Sequence, residues 1–395
     1  MNYSNFLETA VQLVSQTLLR APALVLLAVL AFRGAAAGAK IQDITWSLGP
    51  DLPHYRKAAV TAVIEGQVIS ACGMEHPWAE SAETFALPSL EQGAEWQQLP
   101  NCPLGRAYVQ GTAAGNSLYV IGGRRNFAAI PDVDKLNRNA QGWSWSSLPD
   151  LNVPRAGAPA AFIGSKLYVV GGTTWNGKNN DSLGSVEVLD TAAANPAWTV
   201  VTQIPGSPRA WSSVAGINGK LYVFGGMDWT KRADGTDVRN QLDEVKVYDP
   251  ATNTWQNLPP LPFPWHGHEC AVYQNRYVII LGGCCYNYPE EYRERKAAIP
   301  SNENYYNPFV IVYDTQEPGY RVLPTPLLYP TNNIGAALVG DTVVAIGGEN
   351  IDPATSNTTK YVRYGAIQVV PEPSASVMLT AGLVIMSLVC GTKGK

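Results

Sequence analysis

Charged residues and histidines are scarce in this chain of 395 residues. Only 15% of the residues are charged, four are histidine, and the formal net charge is −4. A generally basic surface of the kind that binds nucleic acid is therefore not expected. The sequence also lacks a Ser-His-Asp arrangement, a phosphate-binding loop and a zinc-ligand spacing, so nothing points to the enzymes that those motifs define. We predict no metal and no cofactor.

Glycine, proline and aromatic residues are abundant instead. The chain has 36 glycines, 29 prolines, 11 tryptophans and 19 tyrosines. This composition is typical of a protein rich in strands and turns rather than helices.

The N-terminal segment differs in character from the middle of the chain. It has a basic residue at Arg20, an apolar run that reaches Phe32, and small residues up to Ala39. This three-part layout predicts a secretory signal peptide over residues 1–39. An uncleaved membrane anchor is the alternative, although the apolar run is short for a membrane span.

The C-terminal segment also has a distinct layout. Residues 370–374 read Val-Pro-Glu-Pro-Ser, an apolar run follows to Cys390, and the chain ends with Lys393 and Lys395. This resembles the bacterial PEP-CTERM sorting tail, with its motif, hydrophobic helix and terminal basic residues. The resemblance implies that residues 370–395 are recognised by bacterial sorting machinery, contact the membrane, and bring the protein to the periplasm or cell surface. A simple C-terminal anchor is the alternative.

Export would permit disulfide bonds among the cysteines of the middle of the chain, between the N-terminal and C-terminal segments. These number five, so they cannot all pair internally: Cys72, Cys102, Cys270, Cys284 and Cys285. Cys270 and Cys284 are expected on neighbouring strands of one repeat and form a possible bridge, while the other pairings stay open.

A strand that ends in Gly-Gly recurs along the middle of the chain, as in "LYVIGG", "LYVVGG" and "LYVFGG". An aromatic residue precedes the second glycine by 27 or 28 residues in six units: Trp46–Gly73, Trp96–Gly123, Trp145–Gly172, Trp198–Gly226, Trp255–Gly283 and Tyr320–Gly348. A run such as "VKVYD" lies between each glycine pair and the next aromatic residue. Each unit therefore holds four strands, which we call a to d in chain order.

The stretch 221–255, "LYVFGG…VKVYDPATNTW", resembles the kelch repeat, and the resemblance extends over about 43–369. It implies an all-β, six-bladed kelch β-propeller over residues 40–369. Trp46 lies on a strand d that no a, b or c precedes, and the last unit lacks its strand d. The N-terminal strand is thus expected to close the sixth blade and remove the exposed edges. Glycine is expected where a side chain would clash between crowded blades.

Candidate ligand-binding residues lie in the d–a and b–c connections, which emerge on one face of such a propeller. Arginines follow the first four aromatic residues by ten or eleven positions, with a histidine and an asparagine near that position in the last two units: Arg56, Arg106, Arg155, Arg209, His266 and Asn332. The b–c loops add further candidates: Arg124, Trp175 and Trp229. Arginine beside exposed aromatic residues suits anionic sugars or peptides. Alternatively, each arginine closes its own blade by binding turn carbonyls.

Glu349 follows the last glycine pair directly and is the candidate catalytic base. This Gly-Glu resembles the six-bladed kelch mutarotases that interconvert anomers of N-acetylneuraminate, in which an arginine follows shortly. Only Lys360 and Arg363 follow here. His266 and His268 lie beside Glu269, where a strand or ligand contact is favoured over a metal.

Three functions follow from these patterns. The first is an exported, surface-displayed protein that binds an anionic glycan or protein ligand at an arginine-lined channel mouth. The second is a mutarotase or epimerase acting on an acidic sugar through Glu349. The third is a purely structural role, to which the channel mouth would be irrelevant.

Overall fold

The computed structural model describes residues 39–75, 78–175, 181–231, 234–298, 306–349 and 358–371. Residues 43–368 form one compact unit, and the two chain ends form a second, of which the described residues are 39–42 and 369–371. Nearly all of the predicted signal peptide and sorting tail lies outside the described residues. Within these residues, no helix has both the length and the apolar character to cross a membrane.

The strands form six four-stranded antiparallel sheets. The first blade contains β2 (Val60–Ile64), β3 (Gln67–Ala71), β4 (Thr84–Leu87) and β5 (Gln97–Leu99). The second contains β6 (Gln110–Ala114), β7 (Ser117–Ile121), β10 (Val133–Asn139) and β11 (Gly142–Leu148). The third contains β12 (Ala160–Ile163), β13 (Lys166–Val170), β14 (Ser185–Asp190) and β15 (Thr199–Gln203). The fourth blade contains β16 (Ser213–Ile217), β17 (Lys220–Phe224), β20 (Val245–Asp249) and β21 (Thr254–Leu258). The fifth contains β22 (His266–Tyr273), β23 (Tyr277–Cys284), β24 (Ile311–Asp314) and β25 (Gly319–Val322). The sixth contains β26 (Gly335–Val339), β27 (Thr342–Ile346), β28 (Val362–Pro371) and β1 (Ala39–Leu48).

Additional elements lie in the b–c connections. Two short hairpins and one helix are described there: β8 (Arg124–Arg125) with β9 (Ala128–Ala129), β18 (Met227–Lys231) with β19 (Asp237–Gln241), and α1 (Glu290–Ala297). The length of these connections varies between blades while the sheets stay constant. The differences between the blades are therefore concentrated in connections on one face of a rigid scaffold.

The six innermost strands contact one another in a closed ring, in the order β2, β6, β12, β16, β22, β26 and back to β2. The sixth sheet has the order β1-β28-β27-β26, so the N-terminal strand is its outer strand. The predictions of six blades and of closure by the N-terminal strand are both confirmed.

Burial follows strand position within a blade. The second strand is covered on both sides, and every residue of β7 is buried. The outer strand β11 is partly exposed, but its Trp145 Nε1 donates a hydrogen bond to the carbonyl of Pro100 in the preceding turn, at 2.8 Å. Trp96 and Trp198 make the same contact with Pro50 and Pro149. The recurring tryptophan therefore ties each of these outer strands to the neighbouring blade.

The glycine pairs form the junctions between blades. The N–H of each second glycine donates to a carbonyl of the next blade, and the ring closes between Gly348 and Arg56 at 2.9 Å. Both glycines have positive φ, and a Cβ on Gly122 would lie 2.4 Å from the Arg155 carbonyl oxygen. The expected clash is thus with neighbouring backbone, where only glycine fits without a shift.

The bridge between Cys270 and Cys284 is wrong. In the register of β22 and β23, Cys270 lies opposite Ile280, and Cys284 lies opposite His266. The two sulfur atoms therefore belong to different rungs of the ladder. All five cysteines of the described residues are free thiols.

Candidate functional site

The four repeated arginines lie inside the blades rather than around the channel mouth. Arg106, Arg155 and Arg209 have no exposed surface, and Arg56 is 3% exposed. Each donates through Nη1 to the carbonyl sixteen residues later, at the first position of the glycine pair. The backbone at this position is in the left-handed region, so the carbonyl is not hydrogen-bonded to a neighbouring strand. The arginine guanidinium donates the hydrogen bond instead.

Each arginine is also paired with a carboxylate on the third strand of its blade or just before that strand. The partners are Glu83, Asp134, Glu187 and Glu244. Because the four guanidinium groups are buried and paired with these internal acceptors, the ligand-binding role predicted for them does not fit. The alternative, that each arginine closes its own blade, describes them.

The last two blades fill the same position with other donors. Trp265 Nε1 donates to the carbonyl of Gly282 at 2.7 Å, and Thr331 Oγ1 donates to that of Gly347 at 3.0 Å. His266, which the spacing places at the arginine position, is therefore one residue beyond it. Asn332 is near that position as expected, also one residue beyond it. This offset is what brings their side chains to the channel mouth.

A ring of six residues surrounds the mouth, each two positions after the arginine site. All have φ between 50° and 68°: Ala58, Tyr108, Gly157, Trp211, Gly267 and Asn333. Five of their N–H groups donate to the carbonyl of the equivalent residue in the preceding blade, at 2.8–3.0 Å. Tyr108 and Trp211 were not singled out from the sequence; their fixed offset from the arginines is the signal that finds them.

A pocket of about 200 Å³ opens at this mouth. The residues that matter for its chemistry come from both the d–a and b–c connections: Tyr108, Trp175, Trp211, Trp229, Arg239 and Glu349. The central channel below it has a volume of about 350 Å³ and is lined mainly by small residues of the innermost strands. The predicted Trp175, Trp229, His266, Asn332 and Glu349 all reach this one pocket.

Glu349 is held at the mouth by both its backbone and its carboxylate. The residue after each glycine pair faces the residue after each arginine position, and Glu349 accordingly exchanges two backbone hydrogen bonds with Asn332. Its carboxylate accepts from Lys57 Nζ at 2.9 Å and from the side-chain amides of Asn332 and Asn333 at 3.2 and 3.3 Å. The carboxylate is oriented by three donors and is still partly exposed to the pocket.

Aromatic side chains form one wall of the mouth. Trp211 and Trp229 have ring centroids 5.6 Å apart, and Trp175 packs edge-on against both. Arg124 lies buried behind this wall, 4.8 Å from the Trp175 ring, with its Nε donating to Glu80. Arg124 thus supports the wall rather than presenting its charge to the pocket.

Arg239 is the cation that faces the pocket. It projects from β19 over the Trp229 ring at 4.6 Å, and its side chain is 51% exposed. Among the described residues, the carboxylate that pairs with it is that of Asp237, whose oxygen lies 3.8 Å from Arg239 Nη2, beyond hydrogen-bond distance. A guanidinium stacked on tryptophan with open donors is suited to a carboxylate ligand. No sequence pattern singles out Arg239, since it lies in an added hairpin outside the repeat.

His266 forms the opposite edge of the pocket. Its Nδ1 is 2.6 Å from Gln241 Nε2, which fixes Nδ1 as the acceptor and the imidazole as neutral. Burial, together with the nearby Arg239 charge, lowers the pKa of His266 to about 4. A neutral imidazole here contributes polar contacts without adding charge.

Lys360 and Arg363, the basic residues that follow Glu349 in the sequence, lie elsewhere. Arg363 is fully buried and donates to the carbonyls of Leu328, Tyr329 and Gly347. Lys360 lies 5.1 Å from the Tyr55 ring. Neither lines the mouth pocket, and among its lining residues in the described chain Arg239 has the guanidinium.

A second carboxylate, Glu269, lines the central channel, where burial raises its pKa to about 7. The pKa of Glu269 is therefore higher in the folded protein than in the unfolded chain. As the pH rises from about 4.5 to 7, the unfolded chain loses this proton more readily than the folded protein does, so the free energy of unfolding falls. We expect the free energy of unfolding of Glu269→Gln, measured by chemical denaturation, to exceed that of the wild type by about 3 kcal/mol at pH 8, with the difference vanishing near pH 4.5. Equal stability of the two proteins at pH 8 would contradict this assignment.

Comparison with known proteins agrees with the repeat and the fold. Residues 108–348 match a family profile described as the KLHDC2/KLHL20/DRC7 Kelch-repeats domain. The chain therefore belongs to the kelch-repeat family. The solved structure titled "Structure of YjhT" aligns with a TM-score of 0.61 and 17% identity, covering 80% of this chain and 96% of that one. A likeness at that identity concerns the fold alone.

Several curated relatives share one name. The chain is 36% identical over 131 residues to an N-acetylneuraminate epimerase of Yersinia enterocolitica, which is 33% of each chain. It is 31% identical over 181 residues to N-acetylneuraminate epimerase 2 of Escherichia coli, and 29% identical over 180 residues to the Shigella sonnei epimerase, in each case 41% of this chain and 47% of the relative. The chain thus spans between a third and a half of the length of these relatives.

Proposed function

We propose that the mouth pocket binds an acidic sugar and accelerates the interconversion of its anomers. The observation that carries this proposal is that the Glu349 carboxylate and the open Arg239 guanidinium line one pocket of about 200 Å³ walled by tryptophan. A pocket lined by aromatic side chains with a few placed polar groups is typical of a small-molecule site. The relatives named N-acetylneuraminate epimerase make N-acetylneuraminate the first candidate.

Each chemical requirement of the reaction has a candidate group in the pocket. Arg239 binds the sugar carboxylate through paired hydrogen bonds, and the faces of Trp211 and Trp229 pack against the apolar side of the ring. Glu349 takes the proton of the anomeric hydroxyl while the bond between the anomeric carbon and the ring oxygen breaks. The ring oxygen takes a proton from water, and the open-chain carbonyl closes again from its other face. Nothing is consumed, and both protons are returned.

The amides and the ammonium around Glu349 support this role. Lys57, Asn332 and Asn333 fix the carboxylate in one orientation before the substrate arrives. Such preorganisation avoids a reorganisation cost during the reaction. Lys57 itself is buried below the Trp78 ring at 4.4 Å, so its position is constrained as well.

We further propose that this propeller works outside the cytoplasm. The signal-peptide layout of residues 1–39 and the sorting-tail layout of residues 370–395 support export, followed by retention at the membrane or cell surface. A sugar-binding mouth on an exported protein would meet glycans or free acidic sugars from the surroundings. Protease protection of full-length protein in intact and permeabilised bacterial cells would test the location.

Arg239→Ala is expected to weaken binding of N-acetylneuraminate by about 10- to 100-fold, since one charge-assisted contact is lost. The affinity for the uncharged methyl ester of the same sugar should change little. Isothermal titration calorimetry with both ligands measures the two effects.

Arg125→Ala is the matched control, because Arg125 is an exposed arginine of the β8–β9 hairpin that does not line the pocket. It should bind both ligands like the wild type. Equal loss in the two variants, or equal wild-type affinity for acid and ester, would contradict carboxylate recognition by Arg239.

A further inference from the structure

The junction between the first two blades departs from the repeat at two positions, and both are cysteine. The first glycine of the pair is present in five blades, but Cys72 replaces it in the first. The residue four positions before the arginine site is leucine in four blades and proline in one, but Cys102 in the second. Two cysteines thus replace the usual residues of the repeat at a single junction between blades.

The two cysteines lie against each other in the folded protein. Cys72 N donates to the carbonyl of Glu83 at 2.9 Å, and Cys102 N donates to that of the adjacent Ala82 at 2.8 Å. They therefore flank the same short segment. Both side chains are buried in one apolar cluster, and their thiols form a hydrogen bond.

Cys72 occupies a position that is unfavourable for a residue with a side chain. Its φ is 61°, in the left-handed region where the other five blades have glycine. A non-glycine residue there carries a conformational cost. A covalent bond to the facing cysteine would offset that cost.

We propose that Cys72 and Cys102 form a disulfide bond, which joins the end of β3 to the connection between β5 and β6, when the chain folds in an oxidising solution. The oxidant is a small-molecule disulfide. The Cys102 thiolate attacks one of its sulfur atoms and releases one thiolate. The Cys72 sulfur then loses its proton and attacks Cys102 Sγ, which releases the second thiolate. Two protein thiols are oxidised by two electrons, and one external disulfide is reduced to two thiols.

The surroundings distinguish the two sulfur atoms. Arg106 Nη2 lies 3.5 Å from Cys102 Sγ. The thiol hydrogen bond from Cys72 and the Arg106 charge lower the pKa of Cys102 to about 7, while the pKa of Cys72 is raised. Cys102 is thereby the attacking sulfur. By contrast, burial raises the pKa of both Cys270 and Cys285.

The test is to refold the full chain with reduced and oxidised glutathione, alkylate it in denaturant, and count thiols by intact mass. The chain has six cysteines. We expect two of them to be protected after oxidative refolding, a peptide map that links Cys72 to Cys102, and a melting temperature about 5–10 °C above that of the reduced protein. Six alkylated thiols in the folded protein, or a different linked pair, would overturn the proposal.

Single serine variants sharpen the result. Cys102→Ser should have five alkylated thiols with or without oxidant, whereas Cys270→Ser should lose two of its five on oxidation. The wild-type peptide map does not depend on whether either variant folds. Two thiols lost in Cys102→Ser would assign the bond to other cysteines and overturn the proposal.

Discussion

Glu349→Gln is expected to reduce the acceleration of anomer exchange by about 10²- to 10⁴-fold, the usual contribution of a positioned general base. Glutamine keeps the size of the side chain but has one acceptor oxygen, which can face either Lys57 or the two asparagine amides. It cannot take the proton of the anomeric hydroxyl. Affinity for the sugar should therefore change far less than the rate, because Arg239 and the tryptophan wall are unchanged.

Two-dimensional exchange NMR on the sugar anomers measures the rate, and calorimetry measures the affinity. The matched control is Glu80→Gln, whose carboxylate binds Arg124 behind the aromatic wall and does not line the pocket. That variant should retain most of the exchange rate. A Glu349→Gln protein that exchanges anomers at the wild-type rate would remove Glu349 from the mechanism.

Arg155→Ala is expected to destabilise the propeller by about 3–5 kcal/mol, because it leaves a buried carboxylate without its cation. Arg155 and Glu187 are both completely buried. Glu187 would keep only the two hydrogen bonds from Asn152, and the carbonyl of Gly171 would lose its donor. Chemical denaturation at pH 7 measures the change.

Arg209→Ala is the comparison that separates charge burial from the loss of an arginine side chain. Its partner Glu244 is 39% exposed and also lies 3.3 Å from Lys246 Nζ, so the remaining carboxylate stays solvated and paired. We expect a loss of about 1–2 kcal/mol. Both variants should bind the acidic sugar normally once folded, because neither arginine reaches the mouth. Equal destabilisation, or loss of binding in folded protein, would contradict this account.

The fold was predictable because it is repeated. A constant spacing between an aromatic residue and glycine over six units indicates that the same four-stranded unit occurs six times, and each repetition strengthens the interpretation. The unpaired strand d at Trp46 even predicts how the ring closes. The sequence associates the glycine pairs with crowding between blades, and the structure shows that a Cβ at Gly122 would meet a backbone carbonyl of the next blade.

The site was less predictable for the same reason. Arginine at a repeated position predicts either a feature of the mouth or a residue that closes its own blade, and the four arginines here make the contacts of the second role. The residues of the pocket break the repeat: Tyr108 and Trp211 replace alanine, glycine or asparagine at a fixed offset, and Arg239 lies in an added hairpin. Glu349 was identified because it directly follows a glycine pair, which fixed its place in the fold. Arg239 had no such anchor in the sequence.

The most direct test of the central claim is the rate of exchange between the two anomers of N-acetylneuraminate with and without wild-type protein, measured by NMR at a pH where spontaneous exchange is slow. The account predicts an exchange rate that rises in proportion to protein concentration, while the methyl glycoside of the same sugar, whose ring cannot open, does not exchange. Exchange that stays at the buffer rate with a folded, sugar-binding protein would contradict catalysis at the mouth. In that case the pocket would be a binding site alone.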